Sequence, residues 1–235
     1  IMTSDKNTQK GLYIKNFGCQ MNVYDGDRMQ EMMSSHKYDS VNSVEDADLV
    51  ILNTCHIREK ATEKIYSELG RIKKNISGKK EKTIIAVAGC VAQAEGEELV
   101  KRAPIIDLVF GPLTYHHLPD ILHSFENDNS NKKKAIVDIE PPNEDKFKEL
   151  PKRLKENRAI SAFLSVQEGC DKFCTFCVVP YTRGVETSRS FLEIKDEANK
   201  LINTGVQEII LLGQNVNAWS NSNGKEMDFA DLIYE

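Results

Sequence analysis

The sequence contains no long apolar segment. No run of about 18 or more apolar residues occurs in it, and a membrane-spanning helix needs at least that many. Residues 1–10 are polar and lack the apolar core of a secretory signal. We therefore expect a protein that does not span the membrane and that works in the cytoplasm. Because the first residue is Ile1, we also expect the chain to be part of a longer protein.

An excess of positive charge is also missing. The net charge of the 235 residues is −5, so the chain as a whole does not attract nucleic acid. Local basic stretches at 71–82, 132–134 and 146–158 can meet phosphate, although runs of this kind are more often solvated surface. A hydrophobic content of 40% and a charged content of 29% are typical of globular domains.

Disulfides are not expected, because the cytoplasm keeps thiols reduced. The six cysteines of the sequence need another explanation. Metal binding or catalysis is the usual role of cysteines in such a compartment.

The N-terminal part of the sequence alternates between strand and helix patterns. Since this alternation is typical of a parallel sheet with helices on both faces, we predict an α/β, doubly wound domain over residues 1–140. Predicted strands lie at 12–17, 48–53, 83–88, 107–110 and 135–139, and predicted helices at 22–36, 57–74, 92–102 and 114–125.

A second unit is predicted after a linker. Residues 141–159 are rich in proline and charge, which favours an interdomain linker. Over 160–235, a strand at 160–167, a helix that Ser190 caps and an apolar strand at 206–212 indicate the first units of a (β/α) barrel. A closed barrel needs about 200 residues or more, so we expect only its beginning here.

Cys170, Cys174 and Cys177 lie within eight residues of each other, directly after a predicted strand. Three thiolates on one loop can hold three corners of a [4Fe–4S] cluster and leave the fourth iron open, whereas electron-transfer clusters normally have four cysteine ligands. This C-x-x-x-C-x-x-C spacing resembles the signature of the radical SAM superfamily. The resemblance implies that the open iron binds S-adenosylmethionine, which is then cleaved to a 5′-deoxyadenosyl radical.

A structural zinc site is the alternative at this loop. Zinc requires four ligands in a closed tetrahedral site. No histidine follows His123 and no fourth cysteine is near in sequence, so the ligand count disfavours zinc.

Cys19, Cys55 and Cys90 each follow the carboxyl end of a predicted strand. Because those ends line one edge of a parallel sheet, where ligands bind, we expect the three thiols to converge. Three thiolates at one edge predict a second [4Fe–4S] cluster with one open iron. A single cysteine at such a place would more simply be a small buried apolar residue.

The sequence around both cysteine trios resembles the radical SAM methylthiotransferase family from Gly11 to Trp219. The similar segments are GCQMN (18–22), NTCHIRE (53–59), AGCVAQ (88–93), CTFCVVPYTRG (174–184), SR (188–189) and LGQNVN (212–217). Members of this family continue through the rest of the barrel and a C-terminal RNA-binding TRAM domain, and neither is present in these residues.

The resemblance implies an enzyme with two [4Fe–4S] clusters that uses S-adenosylmethionine both as methyl donor and as radical source. It implies transfer of a methylthio group to C2 of N6-isopentenyladenosine at position 37 of tRNA. The partners that it implies are tRNA and a flavodoxin- or ferredoxin-like electron donor, and we expect a monomer. The alternatives are a methylthiotransferase for threonylcarbamoyl-adenosine tRNA or a ribosomal-protein aspartate and, in another class, a non-catalytic iron–sulfur electron carrier.

Four further residues are candidates for cofactor binding. Phe176 occupies the aromatic position just before the last cysteine. In the superfamily, the backbone of this aromatic residue lies against the adenine. Gln214 and Asn215 follow the second barrel strand, on the functional face of such barrels. Arg183 suits a carboxylate or a phosphate, and a loop-ordering salt bridge is its alternative role.

Two more residues are predicted to form hydrogen bonds near the second trio. Asn22 and Arg58 stand close to Cys19 and Cys55 in sequence and can orient such ligands. Asn22 is equally explained as the cap of the first helix.

Overall fold

The structure is a computed structural model that describes residues 9–56, 60–79, 82–128, 134–142, 146–150, 160–221 and 226–235. Ten strands lie in these residues: β1 (Lys10–Phe17), β2 (Tyr38–Ser40), β3 (Leu49–Thr54), β4 (Ile84–Gly89), β5 (Leu108–Phe110), β6 (Ile136–Asp138), β7 (Ser161–Ser165), β8 (Gln167–Glu168), β9 (Thr187–Ser188) and β10 (Glu208–Leu212). The α-helices described are α1 (Gln20–Ser34), α2 (Lys60–Asn75), α3 (Cys90–Glu95), α4 (Glu97–Arg102), α5 (Leu118–Glu126), α6 (Lys146–Glu149), α7 (Val179–Arg183), α8 (Phe191–Asn203) and α9 (Phe229–Tyr234). Single turns of 3₁₀ helix cover Tyr115–His117 and Val216–Ala218.

The first six strands form one sheet in the order β2-β1-β3-β4-β5-β6, and every neighbouring pair is parallel. The chain moves outward in one direction from β1 to β2 and in the other from β3 to β6. The strand order therefore reverses between β1 and β3, which is the switch point where open α/β sheets bind ligands. The sequence did not predict β2, which is only three residues long.

Apolar side chains cover both faces of this sheet, which confirms the predicted doubly wound α/β fold. In β3, Ile51 belongs to the core on the side of α1 and α5, while Val50 and Leu52 belong to the core on the side of α2. A strand buried on both faces needs apolar residues at every position, because successive side chains point to opposite faces. This explains the unbroken Leu-Val-Ile-Leu run in β3.

Two predicted helices differ from those observed. Helix α1 begins at Gln20 with Cys19 at its N-cap, so the interpretation of Asn22 as the cap is wrong. The helix predicted over 92–102 is two short helices, α3 and α4, which meet at Gly96. The φ of +48° at Gly96 is a left-handed conformation that ends the first helix.

The C-terminal part begins with the parallel pair β7 and β10, connected through α8. Ser190 caps α8 by accepting a hydrogen bond from the backbone N–H of Glu193, as predicted. Their core is apolar and includes Leu164, Ile194 and Trp219. This is the start of the predicted barrel. Strands β8 and β9 form a short antiparallel pair, with β8 before the cysteine loop and β9 after it.

Helix α1 connects the two parts of the chain. Met21 and Tyr24 on α1 pack against Leu212 at the end of β10. Leu150, after α6, packs into the N-terminal core. Among the described helices, none combines the length and the apolar character needed to cross a membrane.

Candidate metal centres

The three cysteines of the N-terminal trio stand beside one another at the carboxyl edge of the sheet. Phe17 pairs with Thr54, and Thr54 pairs with Gly89, so β1, β3 and β4 end in register. Cys55 and Cys90 are the next residues after two of these strand ends, and Cys19 follows the third by two residues. Because neighbouring strands are about 4.8 Å apart, the trio spans the switch point between β1 and β3 and the strand beside it.

Two members of this trio interact directly. A hydrogen bond with Cys55 lowers the pKa of Cys19 to about 6, helped by the backbone N–H of Asn22 and the positive charge of Arg183 and opposed by burial. At neutral pH Cys19 is therefore largely thiolate, which is the form that binds metal. Cys55 and Cys90 are buried, and Cys19 is half-buried.

Glycines make the close approach of these strand ends possible. Gly18 has a φ of +137° and Gly89 a φ of +89°, and both precede a cysteine of the trio. A Cβ on Gly18 would overlap the side chain of Cys55, and one on Gly89 would overlap the backbone oxygen of Thr54. Only glycine fits both the backbone conformation and the space.

Side-chain amides surround the same edge, and two of them, Asn22 and Asn53, are buried. Asn53 Nδ2 donates to Asn22 O at 2.6 Å and to Asn16 Oδ1 at 2.9 Å, and Asn22 Nδ2 donates to Asn53 Oδ1 at 3.2 Å. In its neutral form, the Cys19 thiol donates to Asn22 Oδ1 at 3.1 Å. Asn22 therefore contacts the trio as the sequence predicts. Asn53 was missed, although an amide inside an apolar strand was the signal for it, and Arg58 lies outside the described residues.

The second trio lies on the loop between β8 and α7. The Cys177 backbone N–H donates to Cys174 O at 2.9 Å, which folds the loop into a turn. The Cys170 N–H donates to the carbonyl of Gly184 at 3.2 Å, so the start of the loop is fixed to the end of α7. Phe173 has a left-handed φ of +45°, and the Phe176 side chain is 95% exposed. The loop thus exposes Cys174 and both aromatic rings to solvent, whereas Cys170 and Cys177 are half-buried.

Two glutamines hold the residue before this loop. Gln214 Oε1 accepts from the Gly169 N–H at 2.6 Å, and Gln167 Nε2 donates to the Gly169 carbonyl at 2.7 Å. The backbone N–H of Asn215 donates to Gln167 Oε1 at 3.1 Å, and the Asn215 side chain donates to Glu186 at 3.2 Å. The predicted pair Gln214 and Asn215 therefore reaches the cysteine loop, and Gln167 is a further residue that the sequence did not reveal.

Arg183 is buried in ion pairs. Its Nη2 donates to Asp25 Oδ2 at 2.6 Å and its Nη1 to Glu168 Oε1 at 2.7 Å. Burial opposes the charge, but Asp25, Cys90 and Glu168 raise the pKa of Arg183 well above its usual value. This is the salt-bridge role that the sequence left as the alternative for Arg183. Contact of Phe176, Arg183, Gln214 and Asn215 with a cofactor stays a prediction.

The donors of both trios are cysteine thiols, which as thiolates are the usual ligands of iron–sulfur clusters. Two features fit such clusters: the low pKa of Cys19, and the attachment of the backbone at Gly169, directly before the three-cysteine loop. In the part of the chain that the structure describes, no three His, Cys, Asp or Glu side chains lie close enough together to hold a single metal ion. Cluster ligation by the six cysteines therefore stays a prediction.

Comparison with known proteins gives two family matches. Residues 11–111 match the uncharacterized protein family UPF0004, and residues 164–231 match the radical SAM superfamily. The first match contains Cys19, Cys55 and Cys90, and the second contains the whole cysteine loop.

Curated relatives are similar over nearly the whole chain. A protein of Bartonella quintana (strain Toulouse) is 54% identical over 232 residues, which cover 96% of this chain and 50% of the relative. A protein of Cereibacter sphaeroides (strain ATCC 17023) is 57% identical over 210 residues, which cover 89% of this chain and 47% of the relative. Both carry the name tRNA-2-methylthio-N(6)-dimethylallyladenosine synthase. The chain spans about half the length of the curated relatives that it matches.

Proposed function

The chain belongs to the radical SAM methylthiotransferase family, and from this premise we propose that the protein transfers a methylthio group to C2 of N6-isopentenyladenosine at position 37 of tRNA. One observation carries the proposal. A cysteine trio at the switch point of the sheet and a three-cysteine radical SAM loop occur in one chain, and Arg183 joins their supporting elements. The names of the relatives support the substrate.

The radical SAM match implies S-adenosylmethionine and one [4Fe–4S] cluster, which Cys170, Cys174 and Cys177 would hold. We propose a second [4Fe–4S] cluster at Cys19, Cys55 and Cys90. When bound, the two groups supply an electron for radical formation and an open iron for the sulfur to be delivered. The hydrogen at C2 of adenine is not acidic, so a side-chain base cannot remove it. This supports radical chemistry over acid–base catalysis.

In this proposal, the described residues bind the clusters and orient the cysteine ligands. The thiolates are the ligands, and the low pKa of Cys19 prepares that ligand at neutral pH. Gln167 and Gln214 hold the backbone before Cys170, so the loop enters its turn in a fixed direction. The backbone N–H of Asn22 donates to the Cys19 thiolate and so orients this ligand.

Nucleoside mass spectrometry of tRNA tests the proposal. In a strain without the gene, the 2-methylthio nucleoside should disappear and N6-isopentenyladenosine should accumulate. The full-length gene should restore the product, whereas full-length genes with Cys177→Ala or Cys90→Ala should not. An unchanged profile in the deletion strain contradicts the proposal.

The alternative functions would each give a different experimental result. Loss of a threonylcarbamoyl-adenosine derivative, or of a modified ribosomal-protein aspartate, would identify a sister substrate instead. An iron–sulfur electron carrier would show no change in the EPR spectrum of the reduced protein when S-adenosylmethionine is added. We also propose tRNA and a flavodoxin- or ferredoxin-like donor as partners, and a monomer acting in the cytoplasm.

A further inference from the structure

Four buried charged side chains meet between the two cysteine trios. We call them the charge quartet: Asp25, Lys146, Glu168 and Arg183. Arg183 contacts Asp25 Oδ2 at 2.6 Å and Glu168 Oε1 at 2.7 Å. Lys146 Nζ lies 2.5 Å from Glu168 Oε2 and 4.0 Å from Asp25 Oδ1. Each side chain is at most 4% exposed, so water does not screen these contacts.

Three members of the charge quartet lie on elements that lead to a cysteine trio. Asp25 is on α1, which begins directly after Cys19. Glu168 is in β8, two residues before Cys170, and Arg183 is the last residue of α7, which begins two residues after Cys177. The Arg183 contacts therefore join the support of one trio to both flanks of the other.

Lys146 adds a third attachment. Its Nζ donates to the carbonyl of Pro112, in the loop after β5, at 2.9 Å. The same ammonium contacts Glu168, so the edge of the sheet is tied to the strand that enters the cysteine loop. The quartet thereby contacts the sheet domain at two separate places, at Asp25 and at Pro112.

Stability alone does not explain four buried charges at this place. Buried ion pairs are often no more stabilising than apolar side chains of similar volume. Apolar contacts already hold α1 against the barrel strands, through Met21, Tyr24 and Leu212. Apolar surfaces allow sliding, whereas the planar guanidinium of Arg183 forms directed bonds to two carboxylates and so fixes one arrangement.

We propose that the charge quartet sets the distance and orientation between the two cysteine sites, with Arg183 as the central positioning residue. This inference rests on the proposed function, because it takes both sites to carry clusters. Two carboxylates and two cations give the quartet no net charge. Removing one member leaves a buried charge without its partner, and the elements must shift to admit water or another ion.

The test uses Arg183→Met in the full-length enzyme with both clusters reconstituted. The magnetic interaction between the two reduced clusters, measured by EPR, depends steeply on their separation, so we expect it to weaken. Cleavage of S-adenosylmethionine should continue while methylthio transfer falls about 100-fold, since a shift of 1 Å suffices for such a loss. A merely stabilising role for Arg183 would change neither the interaction nor the ratio of cleavage to transfer.

Arg71→Met is the matched control, because it removes the same group from a position that is 75% exposed, and its partner Glu68 on α2 keeps the ion pair with Lys15. It should leave both measurements unchanged. The double variant Asp25→Asn/Arg183→Met keeps the Lys146–Glu168 pair and a balanced charge, so it should hold two clusters even where Arg183→Met alone does not. It should show the same weakened interaction as Arg183→Met.

A wild-type magnetic interaction in the double variant would overturn the inference. The EPR measurement needs no tRNA, so its result is independent of the substrate. If the enzyme modifies no tRNA but the interaction weakens in the variants, the proposed function fails and the positioning role stands.

Discussion

Gln214 accepts a 2.6 Å hydrogen bond from the backbone N–H of Gly169, which immediately precedes the first cysteine of the radical SAM loop. The two residues are 45 positions apart, at the ends of the first and second barrel strands. On the other side of Gly169, Gln167 bonds the carbonyl. Two side chains outside the loop thus help to set the direction in which it leaves the barrel, together with the backbone bond from Cys170 to Gly184.

Replacing Gln214 tests this relationship. In Gln214→Ala the part-buried N–H of Gly169 loses its acceptor, which costs about 1–3 kcal/mol locally. We expect the Gly169 amide to exchange with solvent at least tenfold faster in the cluster-free protein, since about 1.4 kcal/mol corresponds to a factor of ten. Gln214→Glu keeps an acceptor and should keep the protection. Equal exchange in both variants would show that the hydrogen bond does not fix the loop.

Alanine at Gly169 should destabilise the fold. The φ of Gly169 is +76°, and a Cβ there would overlap the backbone oxygen of Val185. The matched control is Gly205→Ala, because Gly205 has a φ of +96° but open space around it. Strain alone costs alanine roughly 1–2 kcal/mol, so urea unfolding should give that loss for Gly205→Ala and a larger one for Gly169→Ala. Equal losses would mean that the contact with Val185 relaxes.

Asn53→Ala should destabilise the N-terminal domain. The substitution removes partners from the exposed Asn16 side chain and from the side chain and carbonyl of buried Asn22. Each of the two buried Asn22 groups left unsatisfied costs about 1–3 kcal/mol. The control is Asn127→Ala, whose exposed bond to His123 O should matter by less than about 0.5 kcal/mol. Denaturant unfolding of the cluster-free protein measures both. A loss for Asn53→Ala no larger than that of the control would contradict a structural role for the buried amides.

Removal of one cysteine trio should remove one cluster. The variant with alanine at Cys19, Cys55 and Cys90 should bind about half of the wild-type iron and acid-labile sulfide after anaerobic reconstitution, because the radical SAM loop is intact. The reciprocal variant, with alanine at Cys170, Cys174 and Cys177, should also retain about half and should no longer respond to S-adenosylmethionine in its EPR spectrum. Full iron content in the first variant would show that the N-terminal trio holds no cluster.

Much of the fold follows from local patterns. The strand that contains Leu-Val-Ile-Leu is apolar at every position, and Ser190 stands where a helix needs a side chain to accept its free N–H groups. The predicted parallel α/β sheet and the predicted cap of α8 are confirmed. The break at Gly96 was missed because one glycine in a helical pattern does not by itself reveal a left-handed φ.

The sequence by itself determined which chemistry is available, because the type of ligand, cysteine, and the spacing of the cysteines are properties of the sequence. The three cysteines within eight residues, and the three that follow the strands β1, β3 and β4, could be found without coordinates. Family membership followed from the residues around them.

Only the tertiary structure decided what holds these sites in place. Asp25 and Arg183 are 158 positions apart, and nothing near either residue reveals that its charge is buried or which partner neutralises it. The same is true of Gln214 and Gly169. Burial and pairing depend on which surfaces the packed strands and helices bring together, and local periodicity specifies the face of an element but not its distant neighbour.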